Sequence, residues 1–283
     1  MKRSITATEI CKSFGARTVL NGIDLDIQKG EIFGLLGPSG AGKTTLIKIL
    51  TGQIAQDSGT AAINGNDSRK LSGDDRKRFG ITMDNFGVYE RLSCYDNLKI
   101  IAGIYGVGKA EIMNALRKVG LEEAAKTPAG KLSKGMTVRL KLARAFMSDP
   151  DVLFLDEPTS GLDPVSAEEI HRMILAEKQR GKTVFLTTHT MTEAEKLCDN
   201  IALLSEGRIV EYGRPCEICR RYDHQRKLRI HLTDGNDIEI PHDKDAADML
   251  SELIISGRAE TIHTTEPDLE TVFMEITGKE LSA

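Results

Sequence analysis

The stretch Ile32–Thr44 reads IFGLLGPSGAGKT. Its first five residues form a continuous apolar run, which is typical of a parallel strand buried on both faces. The remainder fits the pattern G-x-x-x-x-G-K-[ST], and the helical segment Thr45–Leu50 follows it. A strand, a glycine-rich loop and a helix in this order predict a cradle for nucleotide phosphates, because inward-turned backbone N–H groups at a helix N-terminus attract anions.

The loop and the start of the helix supply the residues that we expect to bind the phosphates: Gly37, Pro38, Ser39, Gly40, Ala41, Gly42, Lys43, Thr44 and Thr45. The ammonium of Lys43 is expected to reach the β- and γ-phosphates, and the hydroxyl of Thr44 is expected to bind Mg²⁺. A purely structural glycine-rich turn is the alternative interpretation, and the flanking strand and helix disfavour it.

A second apolar run, Val152–Leu155, ends in two carboxylates. Ligands of a parallel α/β sheet gather at the carboxyl ends of its strands, so Asp156 and Glu157 should face the same crevice as the glycine-rich loop. Asp156 is placed to hold Mg²⁺ or its water, and Glu157 is placed to polarise the attacking water as general base. Taken alone, the pair could equally be two acids that open a loop before Pro158.

Strand-like and helical segments alternate over most of the chain. The apolar runs Thr183–Thr187 and Ile201–Leu204 are predicted strands, and helical patterns at Pro164–Arg180 and Met191–Leu197 separate them. This alternation indicates a parallel sheet with crossover helices. A helical block is inserted before the two acids, with predicted helices at Cys94–Ile104, Lys109–Val119 and Gly135–Met147.

The last sixty residues follow a different pattern. Alternating apolar residues on both sides of Asp234-Gly235 predict a hairpin with a two-residue turn. Helices are predicted at Ala246–Ile255 and from about Pro267 onwards. The stretch 223–283 is therefore expected to be a small separate α+β unit.

Composition narrows the class of protein. The chain has 283 residues and a formal net charge of −4, which disfavours a general nucleic-acid binder. No apolar run approaches the ~18–20 residues of a bilayer crossing, and Met1–Ile5 has no apolar segment behind its charges, so neither a span nor a secretory signal is expected. Reduced thiols are the expected state of the five cysteines, and a metal or redox role for the C-x-x-C of Cys216 and Cys219 is the less favoured alternative.

Further motifs accompany the glycine-rich loop in order along the chain: Leu132-Ser133-Lys134-Gly135-Met136, Ser160-Gly161-Leu162-Asp163 and His189. With them, residues 4–220 resemble the nucleotide-binding subunits of ABC transporters, in which these are the signature sequence, the D-loop and the switch histidine. The resemblance implies an α/β fold, the P-loop NTPase of the ABC cassette type, with a mixed sheet core and an inserted helical subdomain. The expected domains are 1–222, with the helical subdomain at about 84–149, and the small C-terminal α+β domain.

The resemblance also implies roles for single residues. Ser133 and Gly135 would bind the nucleotide of a second subunit, so that two chains, expected to be identical copies, close head-to-tail on two ATP molecules. His189 would hydrogen-bond the γ-phosphate as a catalytic residue beside Glu157 and Lys43, and Asp163 would shape the interface. Phe14 would stack on adenine. The plainer alternatives are a histidine at a strand end, a helix cap at Ser133 and a core aromatic at Phe14.

Two positions depart from the family pattern. Asp84 stands where the family carries a glutamine that touches Mg²⁺, and a carboxylate can serve there as a metal ligand. After a one-residue shift, Asn85 would supply the amide instead. Lys134 and Met136 replace the usual glycine and glutamine of the signature.

The resulting functional hypothesis is the ATP-hydrolysing subunit of a bacterial exporter. The segment Glu266–Phe273 is similar to the tail of ATPases paired with drug, lantibiotic or ABC-2-type export permeases. A separate membrane permease would then carry the substrate and dock near Asp84–Tyr95, with this subunit peripheral on the cytoplasmic side. The alternatives are a soluble ABC ATPase of translation or DNA repair and a non-hydrolysing regulatory cassette.

Overall fold

The computed structural model describes residues 3–83, 87–223, 227–241, 246–265 and 267–278. The strands within these ranges are β1 (Arg3–Phe14), β2 (Arg17–Gln28), β3 (Ile32–Leu36), β4 (Ser58–Ile63), β5 (Asn66–Asp67), β6 (Phe79–Thr82), β7 (Val152–Asp156), β8 (Thr183–Thr188), β9 (Asn200–Ser205), β10 (Arg208–Gly213), β11 (Lys227–Leu232), β12 (Asp237–Pro241) and β13 (Ala259–Thr265). The α-helices are α1 (Lys43–Leu50), α2 (Gly73–Lys77), α3 (Cys94–Tyr105), α4 (Lys109–Lys118), α5 (Lys134–Phe146), α6 (Pro164–Gln179), α7 (Met191–Leu197), α8 (Pro215–Arg221), α9 (Ala246–Ile255) and α10 (Leu269–Thr277).

The central sheet has the strand order β10-β9-β3-β8-β7-β6. Its pairs from β9 to β6 are parallel, and only β10 pairs antiparallel within it. Every residue of β3, β7 and β8 is buried, which is typical of central parallel strands. Because these strands are parallel, the loop after β3, the acids at the end of β7 and the residue after β8 meet at one edge of the sheet.

A second sheet is antiparallel, with the order β2-β1-β4-β5. The turn Asn64-Gly65 joins β4 to β5 in an antiparallel hairpin, as is typical of an Asn-Gly pair. At the other end, β1 and β2 form a hairpin in which Phe14 pairs with Arg17. Together the two sheets make the mixed sheet core, and apolar residues of both belong to one buried cluster.

The inserted helical block consists of α3, α4 and α5, and it lies between β6 and β7 in the chain. The three helices begin and end within one residue of their predicted bounds. Side chains of Ser93 and Ser133 cap α3 and α5, since each accepts a hydrogen bond from the backbone N–H three residues later. The block shares a buried apolar cluster with one face of the central sheet.

The C-terminal region differs from its prediction in two details. The loop between β11 and β12 spans residues 233–236, four residues rather than two, because β11 ends at Leu232 and β12 begins at Asp237. The strand β13 was not predicted, and it completes a sheet of order β12-β11-β13 that packs with α9 around its own apolar cluster. The segment of β13 escaped prediction since its apolar pattern is weak.

The last helix packs away from this small sheet. Leu269, Val272 and Phe273 are buried in a cluster with Leu36 and Ile218, and α10 contacts α7 and α8. The apolar face of this helix therefore covers the first part of the chain rather than the small sheet. The division into domains 1–222 and 223–283 stays a prediction. The last helix of the second range, α10, lies against the first range.

Candidate functional site

The glycine-rich loop wraps closely over the end of β3. Gly42 caps α1 with φ of 112°, a backbone conformation that side chains disfavour. A Cβ at this position would lie 2.7 Å from Cδ2 of Leu20 and 3.0 Å from the carbonyl oxygen of Val19. Only glycine therefore fits between β2 and the start of α1. The sharp turn leaves the first N–H groups of α1 free of carbonyl partners within the helix.

Lys43 is the first residue of α1, and only 6% of it is exposed. Its ammonium donates hydrogen bonds to the carbonyl oxygens of Gly37 at 2.6 Å and Pro38 at 3.3 Å. The ammonium also lies 3.3 Å from Oε1 of Glu157. Two separate motifs predict the lysine and the acid as site residues, and the structure brings them into contact.

Asp156 joins three elements at the edge of the sheet. Its Oδ2 accepts a hydrogen bond from the Thr44 hydroxyl at 2.8 Å, and its Oδ1 accepts one from the Thr187 hydroxyl at 2.5 Å. Thr44 and Asp156 are thus brought together as predicted. Thr187 was not predicted as a site residue. Its position opposite Asp156, on the neighbouring strand β8, follows from the register of the two parallel strands.

Glu157 turns its carboxylate toward Lys43 and His189. Its φ of 48° lies in the left-handed region, a strained conformation for a residue with a side chain that costs roughly 1 kcal/mol. Its backbone N–H donates to the carbonyl and hydroxyl oxygens of Thr187, both at 3.1 Å, which holds this turn. The carboxylate then lies between the Lys43 ammonium and the His189 ring, whose Nδ1 is 3.1 Å from Oε2.

A cavity of about 400 Å³ opens beside these groups. Its lining residues are Phe14, Arg17, Val19, Ser39, Gly40, Gly42, Lys43, Thr44, Thr45, Asp156 and Glu157. Phe14 is 53% exposed, so the alternative of a core aromatic is wrong. Asp156 and Glu157 also line a second cavity of about 380 Å³, together with Leu132 and Lys134 of the signature sequence.

Arg17 and Val19 are lining residues that the sequence analysis missed. The β1–β2 hairpin pairs Phe14 directly with Arg17, so both side chains leave the sheet on one face, and Val19 follows at the period of two. A Cβ at Gly40 would lie 3.7 Å from Nη2 of Arg17, which places the guanidinium over the glycine-rich loop. The sequence could have indicated Arg17, because the short turn Gly15-Ala16 after Phe14 places Phe14 and Arg17 opposite each other in a hairpin.

Ser133, Gly135 and Asp163 lie together, apart from the residues that line the cavity at Lys43. Ser133 caps α5, and Asp163 caps α6 by accepting hydrogen bonds from the N–H and hydroxyl of Ser166. These bonds hold the pKa of Asp163 below its usual value. Gly135 packs on the same Ser166, since a Cβ there would lie 3.0 Å from the serine Oγ. Ser166 of α6 thus contacts both Gly135 of the signature sequence and Asp163 of the D-loop.

The sequence profile of a family described as "ABC transporter" matches residues 20–160. A fluoroquinolones export ATP-binding protein of Mycobacterium tuberculosis is 40% identical over 272 residues, which cover 94% of this chain and 90% of the relative. The chain belongs to the ABC transporter family. It is an ATP-binding cassette of the ATPase type, and ATP is its nucleotide.

Other relatives agree with this assignment. The lantibiotic transport ATP-binding protein SrtF of Streptococcus pyogenes is 39% identical over 199 residues, covering 70% of this chain and 86% of SrtF. Among solved structures, cbiO1 of Clostridium perfringens, part of the ABC transporter complex cbiONQ, matches with a TM-score of 0.70 and 28% identity. That match covers 78% of this chain and 94% of cbiO1. The cassette fold is confirmed, and the alternatives in translation, DNA repair or non-hydrolysing regulation are not favoured.

The cassette offers oxygen ligands of the kind that Mg²⁺ prefers. The Thr44 hydroxyl and the Asp156 carboxylate already lie within hydrogen-bond distance of each other, and nucleotide phosphates would complete such a site. No cluster of three His, Cys, Asp or Glu side chains suited to a metal occurs in the described ranges. Asp84, the third predicted ligand, and Asn85 lie outside the described residues.

Among the described residues, every α-helix of the cassette is too short or too polar to cross a bilayer. The two cysteines of the C-x-x-C differ in environment, since Cys216 is exposed and Cys219 is buried. Burial raises the pKa of the Cys219 thiol to about 11, which keeps it protonated at neutral pH.

Proposed function

We propose that this cassette hydrolyses ATP to drive export of a substrate through a separate membrane permease. The observation that carries the hydrolytic part is the carboxylate of Glu157, held between the Lys43 ammonium and the His189 ring beside the glycine-rich loop. A carboxylate there can orient the attacking water and take its proton, while Lys43 meets the charge of the γ-phosphate. Export is supported by the similarity to the fluoroquinolones export and lantibiotic transport proteins.

Mg²⁺ accompanies ATP in this proposal. Thr44 and Asp156 would hold the ion, which would neutralise charge on the phosphates of the nucleotide. Thr187 keeps the Asp156 carboxylate oriented through the hydrogen bond to its other oxygen. Asp84 remains the proposed additional ligand from the sequence.

Two copies of the chain close head-to-tail on two ATP molecules. Support comes from the start of α5, where Ser133 and Gly135 lie apart from the cavity at Lys43 and no acidic residue occupies the first turn. An exposed helix N-terminus of this kind attracts a phosphate, here that of the partner's nucleotide. Asp163 borders the same surface. Loss of the γ-phosphate on hydrolysis removes the bridge between the copies, so the pair reopens.

The permease docks on the helical block. A groove of about 330 Å³ between the segment after β6 and helices α3 and α5 supports this assignment, and Tyr89 at its rim is 59% exposed. The residues that line it are Gly87, Val88, Tyr89, Asn97, Leu98, Ile101, Leu140, Lys141 and Arg144. The cassette is accordingly a peripheral protein on the cytoplasmic side of the membrane, without a nucleic-acid partner.

Glu157→Gln tests the hydrolytic part. The amide keeps the shape of the carboxylate but is not a base, so turnover is expected to fall ~10²–10⁴-fold while ATP binding is retained. Since ATP then persists, pairs of chains should accumulate in sedimentation runs with ATP and Mg²⁺. Lys43→Ala is the matched variant that should lose ATP binding itself. A Glu157→Gln protein that hydrolyses ATP at the normal rate would reject the general-base role.

Co-purification tests the partner. A tagged full-length chain, extracted from its own membranes in mild detergent, should retain one hydrophobic membrane protein. Tyr89→Ala should lower its recovery, whereas Ile255→Ala, at an exposed position on α9, should not. Equal recovery with both variants would place the docking surface elsewhere.

A further inference from the structure

Three polar side chains, two of them buried and one partly buried, form a cluster beside the loops that carry Glu157 and His189. Glu193 is 3% exposed and His171 is 8% exposed. The Thr159 hydroxyl donates a hydrogen bond of 2.7 Å to Oε1 of Glu193. Nε2 of His171 lies 3.1 Å from the same oxygen, so Glu193 joins the other two side chains.

The cluster connects the same two loops as the pair at the reaction site. Thr159 comes two residues after Glu157, in the loop between β7 and α6, and Glu193 lies in the first turn of α7, four residues after His189. The Thr159–Glu193 hydrogen bond is therefore a second link between these two loops, in addition to the Glu157–His189 contact. His171 anchors this bond to α6.

Stability alone does not explain the cluster. Within the described part of the chain, Oε2 of Glu193 and Nδ1 of His171 are buried without hydrogen-bond partners. The other acid facing the ring is Glu168, whose Oε2 is 3.9 Å from Nδ1, beyond hydrogen-bond distance. Buried carboxylates with incomplete pairing are costly, and apolar residues of similar volume are often no less stable. Such a cost suggests a role in function.

We propose that Glu193 is a positioning residue for ATP hydrolysis. By holding Thr159, it fixes the separation of the two loops, so that the Glu157 carboxylate and Nδ1 of His189 keep their contact of 3.1 Å. Glu193 lines neither of the two cavities that Asp156 and Glu157 border, so it acts through these loops and not on the nucleotide. This inference rests on the proposed hydrolytic function.

The first test compares Thr159→Val with Thr159→Ser in the full chain. Valine keeps the volume but removes the donor, and a displaced catalytic pair should lower kcat about tenfold. ATP affinity should stay within twofold of wild type, because the cluster does not contact the nucleotide. Thr159→Ser should restore kcat. Thr277→Val is the matched control, since it removes a hydroxyl of α10, outside both loops, that donates to the Phe273 carbonyl at 2.7 Å.

The second test measures the geometry directly. In nucleotide-free, ¹⁵N-histidine-labelled protein, the ring signal of His189, assigned with His189→Gln, should show a hydrogen-bonded Nδ1–H. Thr159→Val should move that signal toward the value of a solvent-exposed histidine, and Thr159→Ser should not. Glu193→Ala removes the carboxylate that accepts the Thr159 hydrogen bond, and it should reproduce the loss of kcat. The double variant should be no worse than either single one, because all act on one bond.

Several results would overturn the proposal. These are wild-type kcat in Thr159→Val or Glu193→Ala, an equal loss in Thr277→Val, or a Thr159→Ser protein as impaired as Thr159→Val. A lower melting temperature with unchanged kcat and unchanged His189 signal would show a purely structural cluster. Failure of the proposed function is distinguishable, because the wild-type chain would then show no turnover while the histidine signals still report the loop geometry.

Discussion

Nδ1 of His189 lies 3.1 Å from Oε2 of Glu157, across the neighbouring ends of strands β8 and β7. An ionised carboxylate only accepts hydrogen bonds, so Nδ1 carries the proton in this contact. In the neutral ring Nε2 is then an acceptor, and protonation makes it a donor toward a phosphate. The contact thus fixes both the ring orientation and the tautomer of the histidine.

His189→Ala should lower turnover by about 10²-fold or more and leave ATP binding nearly unchanged, because the Glu157 carboxylate loses the group that orients it. Single-turnover hydrolysis and equilibrium binding of ATP measure the two effects. His263→Ala, on strand β13, is the control and should behave as wild type. An alanine variant with normal turnover would reduce His189 to a polar residue at a strand end.

The parts of this site that the sequence predicted are those set by local or regular geometry. The loop over Gly42 and Lys43 follows from one motif, and Asp156 meets Thr44 because parallel strands end at one edge. Glu193 was missed since its role depends on contacts between distant segments. The short turn after Phe14 indicates that Arg17 pairs with it, but the position of the guanidinium over the glycine-rich loop is again a contact between distant segments. No spacing in the sequence shows that a guanidinium from a β-hairpin lies over Gly40.

Thr44→Val should raise the free Mg²⁺ concentration needed for half-maximal turnover by about tenfold or more, because the hydroxyl is the proposed partner of Asp156 in holding the ion. ATP binding in excess chelator should be unaffected. The measurement is ATPase rate against free Mg²⁺ at saturating ATP. Thr51→Val removes a buried hydroxyl that donates to carbonyl oxygens of α1 and accepts a hydrogen bond from Nε2 of Gln53, and it should leave the Mg²⁺ dependence unchanged. The same dependence in Thr44→Val and wild type would exclude the hydroxyl as a ligand.

Arg17→Gln should raise the KM for ATP about tenfold with little change in kcat. The guanidinium lies between Phe14 and the loop at Gly40, where the first phosphate of a nucleotide stacked on Phe14 would pass. A charge-assisted bond there strengthens ground-state and transition-state binding equally, so its loss changes KM alone.

A series of nucleotides and a control variant at a second arginine make the Arg17 experiment more specific. Affinities for ATP, ADP and AMP should fall together, while adenosine should be unaffected because it carries no phosphate. Arg69→Gln is the control, since that arginine is exposed and paired with Asp67. An unchanged AMP affinity in Arg17→Gln would move the guanidinium away from the first phosphate.

Sequence periodicity predicted the last helix but not what it covers. The stripe of Leu269, Val272 and Phe273 shows only that one face is apolar. Its partners, Leu36 at the end of β3 and Ile218 on α8, are distant in sequence. The intervening strand β13 also went unpredicted, and its pairing with β11 completes a sheet that the two-strand expectation left open.

Phe273→Ala should therefore destabilise the ATP-binding part, although the residue lies in the C-terminal segment. Phe273 is 1% exposed, and truncating such a side chain costs about 3–5 kcal/mol. Thermal unfolding with and without ATP measures this, since ATP should protect the very unit that Phe273→Ala weakens. Ile255→Ala, at a residue 86% exposed on α9, should change stability by no more than about 0.5 kcal/mol. Phe273→Ala could instead lower the melting temperature of only one unfolding transition, one that ATP does not shift. In that case α10 would belong with the small sheet and not with the cassette.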